Sequence, residues 1–342
     1  MKTVIIDESR KKEWEQYLHD TPNSIAWQSY EWSTVLKKHY RFDFHPLAVC
    51  DGSGIRGILP LYHLKSLFGK DILLSVPYAV AGGIVADNDE ARDMLLEKAI
   101  EISKMYNSCC ISLKQYKIKI ERQLRTDGNY YNRELDLASG MDEIWNGLSE
   151  TNRQQIETSR NFDFKLEYPS DDLDIFYNIL LTHQHSRGIP CVGKKWIKDL
   201  IGFRMYSLAV LKMDGIVVAA TMIKEFKDTV SFPFTCVPDK NGNTGVAEYR
   251  LYWELITRFV TEGKRIFHSG RIPRNDRTDP FRLGWGGVQY DYYYQYYPDS
   301  NKTKTEYSKR KGRKRDLFES CWKKMPRGLA GFLGPYIVRQ FP

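Results

Sequence analysis

The alternation of apolar and polar positions along the chain predicts strands and helices in an order that occurs twice. Apolar runs of strand length lie at 44–50 and 55–64, and again at 206–213 and 216–225. The first pair flanks Asp51-Gly52-Ser53-Gly54 and the second pair flanks Asp214-Gly215. Gly and Asp tolerate positive φ, so each pair of runs is predicted to form a β-hairpin.

The elements that follow each hairpin also share one order. In the first half they are a strand at 72–76, a loop at 77–83, a helix at 88–106 and a strand at 109–113. In the second half they are a strand at 229–235, a loop at 238–245, a helix at 246–262 and a strand at 265–268. A helix between two strands supplies a crossover, so part of each sheet is predicted to be parallel. The repeated order indicates a duplicated α/β domain with mixed sheets. We predict domains at 1–140 and 141–299, then a basic linker and an amphipathic C-terminal helix over 300–342.

Charge separates the end of the chain from its body. The 342 residues carry 51 Lys and Arg against 43 Asp and Glu, a net charge of +8. Residues 300–342 hold 12 of the basic and 3 of the acidic residues, which gives this segment a net charge of +9 and leaves −1 for the rest of the chain.

Six cysteines without a C-x-x-C pair argue against a disulfide or zinc framework. With neither a signal-peptide pattern nor a long apolar run, we expect a cytoplasmic protein.

The basic tail has three competing interpretations. Six cations in the seven positions 309–315 precede an apolar set that helical spacing gathers on one stripe, with Pro326 and Pro335 limiting helix length. This combination is typical of peripheral binding at the inner face of a membrane, through 309–342. The tail equally fits a helix docked on the body behind a solvated linker. The cations would contact nucleic acid only if a tRNA carries the donor group.

The order of elements, with the motifs of the C-terminal half, resembles the Fem-type (FemAB-like) peptidyl- and acyltransferases of the GNAT superfamily. The matching positions within 247–287 are Gly263, Phe267, Gly270, Arg271, Phe281, Arg282, Trp285 and Gly286. The ending at 321–341 is similar to Fem-like proteins of exopolysaccharide and surface-protein export systems. The resemblance implies two tandem GNAT-like domains. It also implies transfer of an acyl or aminoacyl group from acyl-CoA or aminoacyl-tRNA, without a metal, to an amine of a cell-envelope or exported-polysaccharide precursor. The acceptor would be a small molecule or a lipid-linked or glycan amine.

Two glycine-containing loops are candidates for binding anionic groups. The loop before the second long helix holds Val237, Gly242 and Gly245, and a helix N-terminus suits the pyrophosphate of a donor. A flexible polar loop explains the same residues. In the first half, the loop with Tyr78, Gly82 and Gly83 would cradle a sugar diphosphate or another anionic substrate, and a tight turn is the alternative.

The remaining candidates are single side chains. His268 and His185 are candidate catalytic bases, and a packed histidine or a favourable helix-dipole contact explains each as well. Arg271, Arg153 and Trp285 are predicted to bind substrate, with ion pairing to Asp276 or Asp279, or a solvated helix face, as the alternatives for the arginines. No nucleophile–base pair is evident, so direct attack by the amine is predicted. The family's D-F-G is His268-Ser269-Gly270 in this chain, which favours the alternative of an inactive GNAT-fold binding protein that uses its tail on membrane or nucleic acid.

Overall fold

The computed structural model describes residues 1–65, 71–106, 108, 110–238, 245–274, 280–299 and 313–339, with the backbone alone at 280 and 313–316. The chain forms two compact units. Unit 1 comprises Met1–Tyr130, Asp291–Gly312 and Arg339–Pro342, and unit 2 comprises Tyr131–Tyr290 and Arg313–Val338. The chain passes between them inside two long strands, so the units are interleaved along the sequence. The predicted contiguous bounds 1–140, 141–299 and 300–342 stay predictions.

Unit 1 is built on a sheet of mixed direction. Its elements are β1 (Lys2–Ile5), α1 (Lys11–Asp20), α2 (Tyr30–Tyr40), β2 (Asp43–Asp51), β3 (Gly54–Leu64), β4 (Ile72–Leu74), β5 (Val85–Ala86), α3 (Asp89–Met105) and β6 (Cys110–Tyr116). The strands β7 (Arg125–Asp136) and β14 (Val288–Tyr297) belong partly to each unit. The sheet order in unit 1 is β1-β2-β3-β4-β6-β14, antiparallel except for the parallel pair β4–β6.

Unit 2 repeats that order. Its elements are α4 (Met141–Gly147), α5 (Glu150–Ser159), β8 (Phe164–Glu167), α6 (Leu173–Ser186), α7 (Lys194–Gly202), β9 (Ser207–Met213), β10 (Ile216–Phe226), β11 (Thr229–Ser231), α8 (Ala247–Thr261), β12 (Ile266–His268), β13 (Ile272–Pro273), α9 (Pro280–Leu283), α10 (Arg313–Lys324) and α11 (Arg327–Val338). The sheet order is β7-β12-β11-β10-β9-β8, again with one parallel pair, β11–β12. The predicted mixed α/β fold with a partly parallel sheet in each half is confirmed.

The long helix of each unit packs its apolar face on its own sheet. On α3, Ala91, Leu95 and Ala99 recur at helical spacing and are buried, and the Asn88 side chain caps the first turn by accepting from the Ala91 N–H. On α8, Leu251 and Leu255 are buried in the same way. Burial of these stripes explains why periodicity alone located both helices.

Two features of the structure differ from the sequence-based expectation. Strand β7 was not predicted, because its sequence RTDGNYYNRELD is mostly polar and few of its side chains are buried. The tail forms two helices where one was predicted, and they are separated at Pro326, which was expected to limit helix length. Pro335 lies inside α11, so the prediction that it also limits helix length is wrong. No helix in the described ranges has the length and hydropathy to span a bilayer.

Candidate functional site

The two parallel strands of unit 2 separate just after His268. β11 and β12 pair over three residues, ending with Ser231 opposite His268. The chain beyond β11 stays with its other neighbour, β10, where Cys236 and Ala220 exchange two backbone hydrogen bonds of 2.9 Å. The chain beyond β12 stays with β7, since the Ser269 N–H donates to the Arg133 carbonyl at 3.0 Å. The pairing between the two parallel strands therefore ends at His268.

His268 is almost buried, with 7% of its surface exposed. Its Nδ1 accepts the Gly270 N–H at 3.2 Å, in a turn where Gly270 has a φ of +85°. An Nδ1 that accepts an N–H carries a lone pair, so this network assigns the proton of the neutral imidazole to Nε2. In this geometry His268 is suited to donating a hydrogen bond from Nε2, which differs from the predicted role of base.

Ser269 joins this end of β12 to the neighbouring strand β7. Its hydroxyl donates to Asn132 Oδ1 at 3.1 Å and accepts the Arg133 N–H at the same distance. Asn132 is fully buried. Sequence reasoning missed Asn132 because β7 itself was not predicted. Ser269 is thus part of a polar cluster with a buried amide.

Arg271 lies three residues beyond His268 and is exposed. Its carbonyl accepts from Arg282 Nη1 at 3.3 Å, which fixes the backbone of this segment. Asp276 and Asp279, the alternative partners named from the sequence, lie outside the described residues. The structure thus brings Arg271 and His268, two of the predicted site residues, to the same end of β12.

A chain of hydroxyl groups, two of them buried and one half-buried, lies on the other side of β11. Thr221 Oγ1 on β10 is 2.8 Å from Thr235 Oγ1, which is 3.1 Å from the Tyr252 hydroxyl on α8. Trp285 stacks on Tyr252 with the ring centroids 5.4 Å apart. Nothing in the spacing of these residues along the sequence indicated this chain.

Trp285 and Val237 belong to the hydrophobic core of unit 2. Trp285 is 2% exposed, and its indole nitrogen has no hydrogen-bond partner among the described residues. A substrate-binding role for Trp285 would require its ring to be uncovered.

Gly245 lies in the turn before α8, whose N-cap Val246 supplies no side-chain hydrogen bond to the first turn. Gly242 lies outside the described residues.

Arg153 and His185 make local contacts. The Arg153 guanidinium pairs with Glu150 at 3.0 Å and donates to the Asn146 carbonyl at 3.3 Å, the arrangement expected of a helix-surface residue. The Nε2 of His185 donates to the Met325 carbonyl at 2.9 Å. His185 therefore anchors the connection between α10 and α11.

In unit 1 the chain itself fills the place where the parallel strands separate. The N–H groups of Gly82 and Gly83 both donate to the Lys114 carbonyl at 2.9 Å, so neither is available to an anion. The buried Lys114 ammonium donates to the carbonyls of Val76 and Ala79 at 3.0 Å. An anion bound here would need other donors than the two glycines.

Tyr78 and the adjacent pocket are also partly closed. Its ring packs on Tyr40 at 4.5 Å, its hydroxyl donates to the Arg339 carbonyl at 3.3 Å, and burial raises its pKa. Gly82 and Gly83 line a pocket with a cavity volume of about 50 Å³. This is far below the roughly 300–1,000 Å³ of pockets that enclose a drug-sized ligand.

Neither a metal centre nor a nucleophile among the buried thiols has support in the described part of the chain. No group of three His, Cys, Asp or Glu side chains there is placed to hold a metal ion. Cys50, Cys110, Cys191 and Cys236 are buried free thiols, and burial raises the pKa of Cys191 to about 12. A thiol with that pKa is not ionised near neutral pH and is a poor nucleophile.

The chain consists of two units with the same strand order, each with one parallel pair of strands. The chain is similar to a solved FemX structure with a TM-score of 0.71 and 12% identity, over 90% of this chain and 99% of that one. It is also similar to the C-terminal domain (DUF2156) of a putative lysylphosphatidylglycerol synthetase from Agrobacterium fabrum, with a TM-score of 0.58, 12% identity and coverage of 86% and 92%. L-PGS from Bacillus licheniformis gives a TM-score of 0.56, 13% identity and coverage of 88% and 95%. No family model and no curated protein matches. The fold is therefore Fem-like, as the sequence resemblance implied.

Proposed function

We propose that this chain transfers an acyl or aminoacyl group to an amine, at the end of β12 in unit 2. The observation that carries the proposal is the separation of the parallel strands β11 and β12 at His268. In GNAT-like folds the donor is held by backbone N–H groups of such a separated strand and by the following helix N-terminus. The start of α8, without a side-chain cap, supplies that second element.

The donor in this proposal is acyl-CoA or aminoacyl-tRNA, bound along 232–238 and at the first turn of α8, with Gly242 and Gly245 allowing close backbone approach. Val237 would contribute through its backbone, because its side chain is in the core. The exposed guanidinium of Arg271 would bind a phosphate or carboxylate of either substrate. No metal is involved in this proposal.

The chemistry proposed for His268 follows from its hydrogen bond to Gly270. The amine nitrogen attacks the carbonyl carbon of the donor, and negative charge develops on the carbonyl oxygen. An imidazole that is protonated on Nε2 stabilises this oxyanion by donating a hydrogen bond. The carbon–sulfur or carbon–oxygen bond then breaks, and the leaving thiolate or ribose oxygen takes up a proton while the attacking nitrogen loses one.

The acceptor is proposed to be an amine of a cell-envelope or exported-polysaccharide precursor, either small or lipid-linked. The names of two similar structures, a putative lysylphosphatidylglycerol synthetase and L-PGS, support the lipid-linked part of this class. A cytoplasmic location and contact with the inner face of the membrane through 309–342 belong to the same proposal. Such contact would bring the site to a lipid-linked acceptor.

The test measures donor binding and transfer separately. Purified protein is titrated calorimetrically with acetyl-CoA and with aminoacyl-tRNA, and acylation of a panel of amines is followed by mass spectrometry. His268→Gln, which keeps a donor nitrogen at similar reach, is compared with His268→Ala. His19→Ala, in an exposed position on α1, is the matched control.

We expect His268→Ala to lower kcat about 100-fold, as removal of one oxyanion donor does, with partial rescue in His268→Gln and no change in His19→Ala. If His268→Ala turns over as fast as the unaltered protein, the assignment of His268 fails. The second candidate function is an inactive binding protein, which the bonding of Ser269 to Asn132 at the altered motif favours. It stands if neither donor binds and no amine is acylated.

A further inference from the structure

Helix α11 presents three large apolar side chains to solvent, while its fully buried positions hold small residues. Leu329, Phe332 and Tyr336 lie at i, i+3 and i+7, so they share one side of the helix, which we call the outer face. They are 47%, 66% and 65% exposed, and the rings of Phe332 and Tyr336 are 5.9 Å apart. A helix that is only docked on a protein core shows the opposite distribution.

The orientation of α11 is fixed by close contacts on its inner side. Ala330 and Gly334 are buried. A Cβ on Gly334 would lie 2.6 Å from the Cys191 carbonyl oxygen, so the two backbones touch. The hydrogen bond of His185 to Met325 holds the start of the helix. Rotation that would bury the outer face is blocked by these contacts.

Positive charge accompanies the outer face. From Cys321 to Pro342 the chain has four Lys and Arg residues and neither Asp nor Glu. Lys323 and Lys324, at the end of α10, are exposed. Leu317, earlier in the same helix, is 66% exposed. Six more cations lie in the sequence at 309–315. The sequence on either side of the outer face is therefore basic, which complements an anionic partner.

We propose that the outer face of α11, with Lys323 and Lys324, docks on an anionic lipid surface. The apolar side chains enter the headgroup boundary, the helix lies in the plane of the surface, and the lysines pair with lipid phosphates. A second copy of the chain fits less well. Two tails of +9 would repel, and three side chains provide far less than the about 800 Å² per partner of a stable interface. This proposal deepens the membrane contact of the proposed function and is independent of catalysis.

The experiment is co-sedimentation of the full chain with vesicles of phosphatidylcholine alone or with phosphatidylglycerol added, without any donor or acceptor. The apolar variant is Leu329→Ser with Phe332→Ser and Tyr336→Ser. The charge variant is Lys323→Gln with Lys324→Gln. The control variant, Ile216→Ser with Val288→Ser, removes two equally exposed apolar side chains elsewhere in unit 2.

We expect binding to the anionic vesicles only, weakened by salt. The charge variant should bind about 30-fold more weakly, since each cation near the surface contributes about 1 kcal/mol and 1.4 kcal/mol is a factor of ten. The apolar variant should lose binding by about 100-fold or more, because the inserted side chains supply most of the buried area. The control variant should bind like the unaltered chain.

Three results would overturn the proposal. They are unchanged binding by the apolar variant, equal binding to neutral vesicles, and a concentration-dependent dimer in sedimentation velocity that the apolar variant abolishes. Circular dichroism of each variant checks folding, and exposed positions should leave it unchanged. Acylation of a water-soluble amine is measured in parallel, so loss of vesicle binding with intact transfer separates this surface from the proposed active site.

Discussion

The backbone of α11 approaches the backbone of Cys191 so closely at Gly334 that a methyl group has no room there. A Cβ at this position would lie 2.6 Å from the carbonyl oxygen of Cys191 and 3.1 Å from its nitrogen. Both are backbone atoms, which cannot rotate away as a side chain can. Gly334→Ala must therefore displace the helix, and overpacking of this kind costs about 1–3 kcal/mol.

The same helix contains a matched control. A Cβ on Gly328 meets nothing within 4 Å, so Gly328→Ala should gain the helix propensity of alanine, about 0.5–1 kcal/mol. Gly334→Ala gains the same helix propensity, but its methyl group collides with the Cys191 backbone. The cost of this overpacking is larger than the gain, so the free energy of unfolding should fall by about 1–2 kcal/mol relative to the unaltered chain. Gly331→Ala is intermediate, since its methyl group meets only the mobile end of the Leu181 side chain, at 3.1 Å.

Urea unfolding followed by circular dichroism measures these free energies of unfolding. The expected order of stability is Gly328→Ala, then Gly331→Ala, then Gly334→Ala. If Gly334→Ala is as stable as Gly328→Ala, the contact with Cys191 does not hold the helix in place. The fixed orientation inferred for the outer face would then lose its support.

Three further measurements test individual groups. A thiol reagent at about pH 8 should label the exposed Cys321 at once and spare Cys191, whose burial raises its pKa to about 12, until urea is added; prompt labelling of Cys191 by mass spectrometry would contradict its burial. Burial lowers the pKa of His45, so the unfolded chain binds the proton more tightly and stability falls as pH drops below about 6.5. His45→Gln should flatten this decline in urea titrations, and an unchanged slope would refute the assignment. His185→Ala should cost about 0.5–1.5 kcal/mol through its lost bond to Met325 and leave turnover unchanged; lost turnover at full stability would support the predicted catalytic role instead.

The sequence was informative where local pattern and backbone preference decide the structure. Both hairpins, both long helices and the parallel pair in each half followed from apolar periodicity and from Gly and Asp at the turns. β7 was missed because its pairing partners lie far along the chain, and a strand with partners on either side can carry polar side chains. Pairing of that kind leaves no periodic signal in the strand's own sequence.

The candidate site was also predicted from the sequence only in part. The motif located the end of β12 and therefore His268 and Arg271. It did not distinguish core from site for Trp285, since an aromatic residue looks the same in a sequence whether it packs or binds. The hydroxyl chain through Thr221 and Tyr252 depends on contacts between separate elements, which spacing alone does not reveal.

The two units use one strand order differently, and this difference supports the proposal that transfer takes place in unit 2. In unit 1 the strand after β4 stays near β6, where the Ser75 N–H donates to Ser112 and the loop closes back onto Lys114 through Gly82 and Gly83. The backbone donors at that separation therefore stabilise the protein's own loop. In unit 2 the corresponding chain leaves for β10 through Cys236, while the end of β12 bonds to β7. Unit 1 closes this place with its own loop, and unit 2 keeps the separated strands that the proposed donor would occupy.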